Sequence, residues 1–271
     1  MPLEHSDISR ILEVAVVAAR LAGQRAMEEI KYVKTEIKNG NEIVTNADPI
    51  CQKLIIDRIK ETYPDHGFLA EEGPGGNPLK QPPRSAQNIW WVIDPIDGTN
   101  NYANGLLSFC VSIAVLHDGV PIVGVIFEPA TDSMFTAATD TDAQLNNSKI
   151  TVSDDAINKF ASFAIDSHYT DEMAGAIEHI TKNTRFRCMG STAMHLAYVA
   201  KGALVGAITT RAKLWDIAAG AIIVQNAGGV MVELSGKAIF PVDVGNYNGE
   251  NYPTLTTNKR IHDEAKQLFN A

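Results

Sequence analysis

An apolar segment that runs directly into two carboxylates constrains the fold of this chain more than any other feature. Residues 89–93 read Ile-Trp-Trp-Val-Ile, which is typical of a buried β-strand. Asp94 ends this segment, and Asp97 follows three residues later, directly before Gly98-Thr99. We predict a strand whose end brings both carboxylates to one point. A turn or helix then follows, whose backbone amides face outward.

Two carboxylates beside outward-facing amides suit Mg²⁺ ions bound against a phosphate group. Mg²⁺ prefers oxygen ligands, and free backbone amides attract anions. The alternative interpretation is structural, with Asp97-Gly98 forming only a turn and Asp94 only capping a helix. An EF-hand loop is excluded, because Pro95 takes its second position and no acid follows at its later ligand positions. The Asp-x-Asp pattern of aspartyl-phosphate enzymes is also absent.

The composition is that of a globular protein with an acidic balance. Of the 271 residues, 45% are hydrophobic and 20% are charged, which excludes global disorder. The net charge of −9 offers no general attraction to nucleic acid or to an anionic membrane, and we expect neither as a partner. Any anionic substrate must therefore be bound by local positive charge.

The cysteines and the N-terminus indicate a reducing compartment. Cys51, Cys110 and Cys188 lie far apart and form no Cys-x-x-Cys pair, which argues against a disulfide scaffold and a structural zinc site. The N-terminus shows no signal peptide, and the longest segment without a formal charge, residues 98–117, is too polar to cross a bilayer. We expect a cytoplasmic protein.

The hydrophobic pattern predicts a layered α/β architecture. Helices are predicted at 6–28, from Asp48 through Ile59, and at 171–180, 191–200, 216–226 and 259–269. Strands are predicted at 89–93, 109–116, 120–127, 133–138, 163–165, 204–208 and 230–233. Residues 31–42 predict an exposed, mobile loop, and residues 73–84 predict an irregular one. We expect one two-lobed unit, with an N-terminal α+β lobe at 1–150 and a C-terminal α/β lobe at 151–271.

Four segments of the chain together resemble the inositol monophosphatase family. Residues 94–102 resemble its first signature and residues 215–221 its second, while residues 44–48 and 68–73 fit two further motifs in the right order. The resemblance covers nearly the whole chain. It implies a layered α-β-α-β-α sandwich of the sugar phosphatase type, usually a homodimer. It also implies a Mg²⁺-dependent phosphoric monoester hydrolase.

The same resemblance implies the metal ligands. Glu71 and Asp94, with the backbone carbonyl of Ile96, would hold a first Mg²⁺, while Asp94, Asp97 and Asp216 would hold a second. Most of these ligands lie in the N-terminal lobe, and Asp216 comes from the C-terminal lobe. Independently of the family, so many acids at one site would repel one another unless cations neutralised them.

The resemblance also implies the catalytic residues. Asp48 and Thr99 would orient and activate the attacking water, with Glu71 nearby, where a third and weaker Mg²⁺ joins. Asp97 and the amides of Gly98 and Thr99 would contact the substrate phosphate. Asp48 alone also fits the N-cap of a helix, and Asp216 alone fits a favourable charge at a helix start. The joint pattern favours the metal site.

The substrate side is implied by a second turn. Gly190, Ser191 and Thr192 lie where the family has its Gly-Ser/Thr-Ala turn beside the substrate, and we expect Ser191 or Thr192 to bind a sugar or inositol hydroxyl. An ordinary helix N-cap by Ser191 is the alternative.

One departure from the family pattern affects the choice of substrate. Thr209 stands where inositol monophosphatases usually have a glutamate that binds the ring hydroxyls. Arg211 or Lys213 offers positive charge for a second anionic group. We expect the substrate to be inositol monophosphate or a related sugar phosphate. The alternatives are fructose 1,6-bisphosphate, histidinol phosphate or a 3′-phosphonucleotide. The alternative of another class is a non-catalytic regulatory protein that binds metal and phosphate.

Overall fold

Helices flank two separate large sheets in the computed structural model, which describes residues 3–38, 40 and 42–269. The helices are α1 (His5–Glu29), α2 (Ala47–Lys60), α3 (Thr99–Ala103), α4 (Ala174–Asn183), α5 (Thr192–Ala200), α6 (Leu214–Asn226) and α7 (His262–Gln267). Short 3₁₀ turns lie at Ile30–Tyr32, Pro74–Gly76 and Asp171–Met173. None of the described helices is both long and apolar enough to span a membrane.

A hairpin and an eight-stranded sheet make up the first part of the chain. The hairpin pairs β1 (Thr35–Lys38) with β2 (Glu42–Thr45). The sheet contains β3 (Gly67–Ala70), β4 (Leu79–Gln81), β5 (Ile89–Asp97), β6 (Cys110–His117), β7 (Val120–Glu128), β8 (Ser133–Ala138), β9 (Gln144–Leu145) and β10 (Ser148–Lys149). Its spatial order is β10-β9-β8-β7-β6-β5-β3-β4, and only β3 and β5 pair in parallel.

The second part of the chain forms a five-stranded sheet. Its strands are β11 (Ser162–Ile165), β12 (Arg185–Arg187), β13 (Gly206–Thr209), β14 (Val230–Glu233) and β15 (Thr254–Thr257), in the order β12-β11-β13-β15-β14. β11 runs parallel to both β12 and β13, whereas β15 is antiparallel to its neighbours. The loops that follow β11, β12 and β13 therefore leave the sheet at the same edge.

The layers follow from the alternation of side chains along β5. Trp91 and Ile93 belong to a core cluster shared with α1 and α2, whereas Trp90 and Val92 belong to a cluster shared with α5 and α6. Successive residues of a strand face opposite sides, so a strand that is covered on both faces is apolar throughout. A third cluster packs α4 and α7 on the second sheet. The predicted α-β-α-β-α sandwich is confirmed.

The hairpin corrects the prediction for residues 31–42. Part of this segment lies in β1 and the adjoining 3₁₀ turn, and Lys38 is only 9% exposed, so an exposed loop is wrong at that position. Its polar composition reflects contacts with acids that are distant in sequence. Asn39 and Asn41, which belong to the predicted loop, lie outside the described residues.

The start of α2 also differs from the prediction. The helix begins at Ala47, with Asn46 in the cap position. Asp48 therefore lies within the first turn, where its carboxylate accepts hydrogen bonds from Thr45, and the predicted N-cap at Asp48 is wrong. Residues 73–84, predicted to be irregular, contain the short strand β4. The division into lobes at residue 150 stays a prediction. In the sequence, this residue lies after the last strand of the first large sheet and before the first strand of the second.

Candidate active site

Asp94 and Asp97 reach the same group of carboxylates because β5 bulges between them. Asp94 is paired with Ser112 of β6 and Asp97 with Cys110, so three steps along β5 match two along β6. In a regular strand, residues three apart face opposite sides, and one extra residue reverses this relation. The Ile96 amide donates a 2.9 Å hydrogen bond to Asp94 Oδ1 and thereby fixes the first carboxylate.

Asp216 completes this group. It is the third residue of α6, and its Oδ2 accepts a 2.7 Å hydrogen bond from the Lys213 amide, so it also caps the helix start. Asp94, Asp97 and Asp216 each offer a carboxylate oxygen, and these oxygens all lie within 4.8 Å of one another. We call these residues the three-carboxylate group. Asp94 and Asp97 are buried and Asp216 is half-buried. Closely spaced oxygen donors of this kind are suited to a divalent cation such as Mg²⁺.

The three-carboxylate group is electrostatically unfavourable without a cation. Burial raises the pKa of Asp94 well above its ordinary value, and repulsion from Glu71, Asp97 and Asp216 adds to the effect. Burial and repulsion from Asp97 raise the pKa of Asp216 in the same way. Burial also raises the pKa of Asp97 to about 6, although the hydrogen bond from Ser191 opposes this shift. A cation would stabilise the ionised carboxylates, so the donor set fits a metal ion.

Glu71 lies beside the three-carboxylate group and is paired with a lysine. Its amide donates a 3.1 Å hydrogen bond to the Ile93 carbonyl, which continues the β3–β5 pairing. Lys38 Nζ lies 3.2 Å from Glu71 Oε1 and 2.8 Å from Glu72 Oε1. Burial raises the pKa of Glu71 to about 7, and the charge of Lys38 opposes this shift. Sequence analysis missed Lys38, because nothing local to it indicates an ion pair with residues so distant in sequence.

Asp48 and Thr99 meet next to these acids. Asp48 Oδ2 accepts hydrogen bonds of 2.8 Å from the Thr45 amide and 2.5 Å from the Thr45 hydroxyl. The Thr99 hydroxyl lies 3.3 Å from Asp48 Oδ1 and 3.0 Å from the Ile96 carbonyl oxygen, so it is placed to donate to either. Burial raises the pKa of Asp48 to about 6, although the hydrogen bonds from Thr45 oppose this shift.

Gly98 allows the chain to turn from β5 into α3. It occupies the N-cap position of α3 with a φ of 101°, a backbone conformation that residues other than glycine rarely adopt. A Cβ atom there would lie 3.0 Å from the Ser108 carbonyl oxygen and 3.3 Å from that of Gly190. Glycine is therefore required at this point, where the signature segment approaches the turn at Gly190.

Asn101 ties the signature segment to that second turn. Its side-chain amide donates hydrogen bonds to the carbonyl oxygens of Ser108 at 2.6 Å and Met189 at 2.7 Å. The Met189 amide in turn donates a 3.0 Å hydrogen bond to Nε2 of the buried His195. Sequence analysis assigned no role to Asn101 or to His195, although Asn101 lies within the quoted signature.

Ser191 caps α5, as one of the two alternatives predicted, and it also binds Asp97. Its hydroxyl donates a 2.7 Å hydrogen bond to Asp97 Oδ2, and it accepts a 3.2 Å bond from the Met194 amide as the N-cap of α5. The Ala193 amide also donates to Asp97 Oδ2, at 2.5 Å. Ser191 and Thr192 are 2% and 9% exposed, and their role as substrate ligands stays a prediction.

Thr209, and the two residues considered for a second anionic group of the substrate, Arg211 and Lys213, lie in different surroundings. Thr209 is fully buried, with its hydroxyl 2.6 Å from that of Thr254 on β15, so this hydroxyl is held inside the sheet. Arg211 is exposed, and within the described part of the chain it forms no ion pair. Lys213 Nζ donates a 2.6 Å hydrogen bond to the Gly249 carbonyl and lines a cavity of about 130 Å³ together with Lys38 and Glu71.

Comparison with known proteins agrees with this geometry. Residues 7–270 match the inositol monophosphatase family. The chain is 36% identical over 239 residues to the fructose-1,6-bisphosphatase/inositol-1-monophosphatase of Thermotoga maritima, covering 87% of this chain and 86% of that protein. It is also 36% identical over 235 residues to Nus factor SuhB of Pasteurella multocida, covering 83% and 86%.

A solved structure supports the same assignment. The IMPase of Thermotoga maritima superposes with a TM-score of 0.82 at 33% identity, over 96% of this chain and 97% of that chain. Sequence and fold therefore agree over nearly the whole length, and this chain belongs to the inositol monophosphatase family.

Proposed function

We propose that the protein is a Mg²⁺-dependent phosphomonoesterase that hydrolyses inositol monophosphate or a related sugar phosphate. The observation that carries this proposal is the three-carboxylate group, in which Asp94 and Asp97 are buried and Asp216 is half-buried, beside Glu71 and the start of α3. Family membership supports a phosphatase, and the name of the Thermotoga maritima relative supports sugar and inositol phosphates as the class of substrate.

The metal site is proposed to hold two or three Mg²⁺ ions. Glu71, Asp94 and the Ile96 carbonyl would bind one ion, and Asp94, Asp97 and Asp216 would bind another. All of these ligands are oxygen atoms, as Mg²⁺ prefers. When bound, Mg²⁺ lowers the pKa of ligated water and neutralises charge that develops on the phosphate.

The chain's own groups position the reactants. The Thr99 hydroxyl orients the attacking water and passes its proton to Asp48, whose pKa of about 6 leaves it ionised near pH 7 and able to accept a proton. The amides of Gly98 and Thr99, at the start of α3, bind the phosphate oxygens. Water would attack phosphorus directly as the ester P–O bond breaks, and the alkoxide would leave as an alcohol after taking a proton from solvent, so the reaction needs no nucleophilic side chain.

A panel of phosphate esters tests the activity. Phosphate release would be measured with Mg²⁺ on inositol 1-phosphate, glucose 1-phosphate, fructose 1,6-bisphosphate, histidinol phosphate and adenosine 3′,5′-bisphosphate. We expect turnover that disappears with a chelator and in Asp94→Asn but persists in Asp118→Asn. Asp118 is a matched control because it lies in the β6–β7 turn, at the opposite end of the β5–β6 pair. The ranking of the esters would identify the substrate class.

The alternative is a regulatory protein that binds metal and phosphate without turnover. The similarity to a protein named Nus factor SuhB supports this alternative. It predicts Mg²⁺ and phosphate binding by calorimetry but no phosphate release from any ester in the panel. That result would overturn the phosphatase proposal.

We also propose that the protein is cytoplasmic and forms a homodimer. Light scattering on the purified protein would test its oligomeric state.

A further inference from the structure

Three loops meet at one edge of the five-stranded sheet, next to the proposed metal site. They follow the parallel strands β11, β12 and β13, and they begin with Asp166, Cys188 and Thr210 respectively. The Ser167 hydroxyl and the Cys188 thiol lie 3.2 Å apart, so the first two loops touch. The carboxyl ends of parallel strands are where α/β folds commonly bind their ligands.

Asp166 is held rigidly between these loops. Its amide donates a 3.2 Å hydrogen bond to the Ile208 carbonyl, so the backbone still follows β13. The Thr210 amide donates a 2.8 Å hydrogen bond to Asp166 Oδ2, and the Thr210 hydroxyl lies 3.4 Å from the same oxygen. Within the described part of the chain, Asp166 Oδ1 accepts no hydrogen bond. The residue is half-buried, so it is partly open to solvent.

The charge of Asp166 acts on the metal side of the pocket. Burial is the main cause that raises the pKa of Asp97, and repulsion from Asp166 adds to it. Burial lowers the pKa of His195 to about 4, and attraction to Asp166 opposes that shift. The contacts agree with this: Ser167, the residue after Asp166, touches Cys188, which lies two residues before Gly190, and Ser191 of the Gly190 turn donates to Asp97. The loop of Asp166 therefore borders the Gly190 turn, where we expect the organic part of a substrate.

We propose that Asp166 accepts a hydrogen bond from a hydroxyl group of the substrate's organic part and so contributes to selectivity for polyhydroxylated phosphate esters. This inference rests on the proposed phosphatase function. A carboxylate accepts hydrogen bonds from hydroxyls and repels a second phosphate. Because Thr210 already fixes Oδ2, little side-chain freedom is lost on binding. The hydroxyl of Thr209 is held by Thr254, whereas Asp166 keeps an acceptor oxygen for a ligand.

The test compares two esters in the same variants. In Asp166→Ala, kcat/KM for inositol 1-phosphate should fall roughly 10- to 100-fold, as expected for loss of a charged hydrogen bond, and mostly through KM. For p-nitrophenyl phosphate, whose organic part has no hydroxyl group, the change should stay below about 3-fold. Asp166→Asn, which keeps an acceptor for Thr210, should retain thermal stability but lose part of the selectivity. Asp171→Asn, an exposed acid nearby, is the matched control.

Two outcomes would overturn the inference. If kcat/KM fell equally for both esters, Asp166 would have only a structural role through Thr210. If kcat/KM changed for neither ester, Asp166 would not contact the substrate. If the wild-type protein hydrolyses neither ester, the proposed function fails. Calorimetric binding of inositol 1-phosphate to the Mg²⁺-loaded protein then decides the inference separately. Asp166→Ala should weaken that binding by a similar factor while leaving the binding of inorganic phosphate unchanged.

Discussion

The proposed metal side of the site, formed by the three-carboxylate group, and the proposed substrate side, formed by the loops after β11, β12 and β13, are built differently. On the metal side, backbone amides fix each carboxylate: Ile96 fixes Asp94, and Lys213 fixes Asp216. These residues lie at a strand bulge and in the first turn of a helix. On the substrate side, polar groups such as Asp166 lie on loops that follow three parallel strands. The difference suggests that the framework determines the chemistry and the loops determine the specificity.

The largest expected effect is on the metal side. Asp94→Asn removes the carboxylate that both proposed ions share, so kcat/KM should fall by roughly 1,000-fold or more. If the metal side serves the chemistry alone, kcat/KM should fall by the same factor for polyol phosphates and for p-nitrophenyl phosphate. Phosphate release on both esters measures it, and a loss confined to one of them would contradict the division between the two sides.

Asn101 connects the two sides, and its removal should affect both. Asn101→Ala loses two hydrogen bonds to the carbonyl groups of the half-buried Ser108 and Met189, which should cost about 2 kcal/mol and lower the unfolding temperature by several degrees. We expect kcat/KM to fall roughly 10-fold because the Gly190 turn shifts against Asp97. Calorimetry and steady-state kinetics measure these changes. Asn104→Ala is the control, since Asn104 bonds only to Asn100 within the same segment; an equal effect there would argue against the bridge.

The stability of the metal-free protein should depend on pH in an unusual direction. Burial raises the pKa of Asp97 to about 6 and of Glu71 to about 7, above the values of an unfolded chain. The folded state therefore binds protons more tightly, and these groups should lower stability as pH rises from 5 to 8. Unfolding temperatures in chelator would measure this change, and Mg²⁺ should oppose it.

A variant isolates this contribution from other titrating groups. Asp97→Asn should make the metal-free protein less sensitive to pH between 5 and 8, because one of the buried acids no longer titrates. If the unfolding temperature of the variant depended on pH as strongly as that of the wild type, the ionisation of Asp97 would not contribute to the pH dependence of stability. Asp118→Asn, at an exposed turn, is the matched control.

The smallest expected effect concerns the rim of the substrate side. Arg211 is exposed, so Arg211→Ala should lower kcat/KM for fructose 1,6-bisphosphate only about 3- to 10-fold, and less at high salt. The value for inositol 1-phosphate should change little. Equal losses for both esters would remove Arg211 from a second-phosphate site. Arg185→Ala, another exposed arginine, is the control.

Long periodic segments were predictable from the sequence, and contacts between distant segments were not. The pattern at 6–28 predicts α1 because residues such as Ile8, Ile11 and Ala15 recur at helical spacing, and these residues are buried in the core cluster shared with α2 and the first sheet. Lys38 was misplaced because its polar surroundings in sequence conceal a tertiary ion pair with Glu71 and Glu72. Asp48 was misassigned as a cap because Pro49 follows it, whereas the helix begins one residue earlier.

The same contrast holds for the site. Asp94, Asp97 and Asp216 lie in segments that resemble family signatures, so their grouping was predictable, and the structure brings them together. Asp166 was missed, although one signal was present: an acid directly after the apolar segment 163–165, the pattern that singled out Asp94. Its partner Thr210 lies 44 residues further along the chain, and no local rule connects the two.

The bulge in β5 makes the metal site depend on the length of the chain as well as on its composition. Between Asp94 and Asp97, one residue more on β5 than on β6 separates the paired positions. Inserting one residue into β6 between Cys110 and Ser112 would let regular pairing resume over the three-residue spacing and would turn the second carboxylate to the opposite face of the sheet. Every acid of the group would remain in the sequence, yet the cation would lose a ligand, so spacing here is as constrained as residue identity.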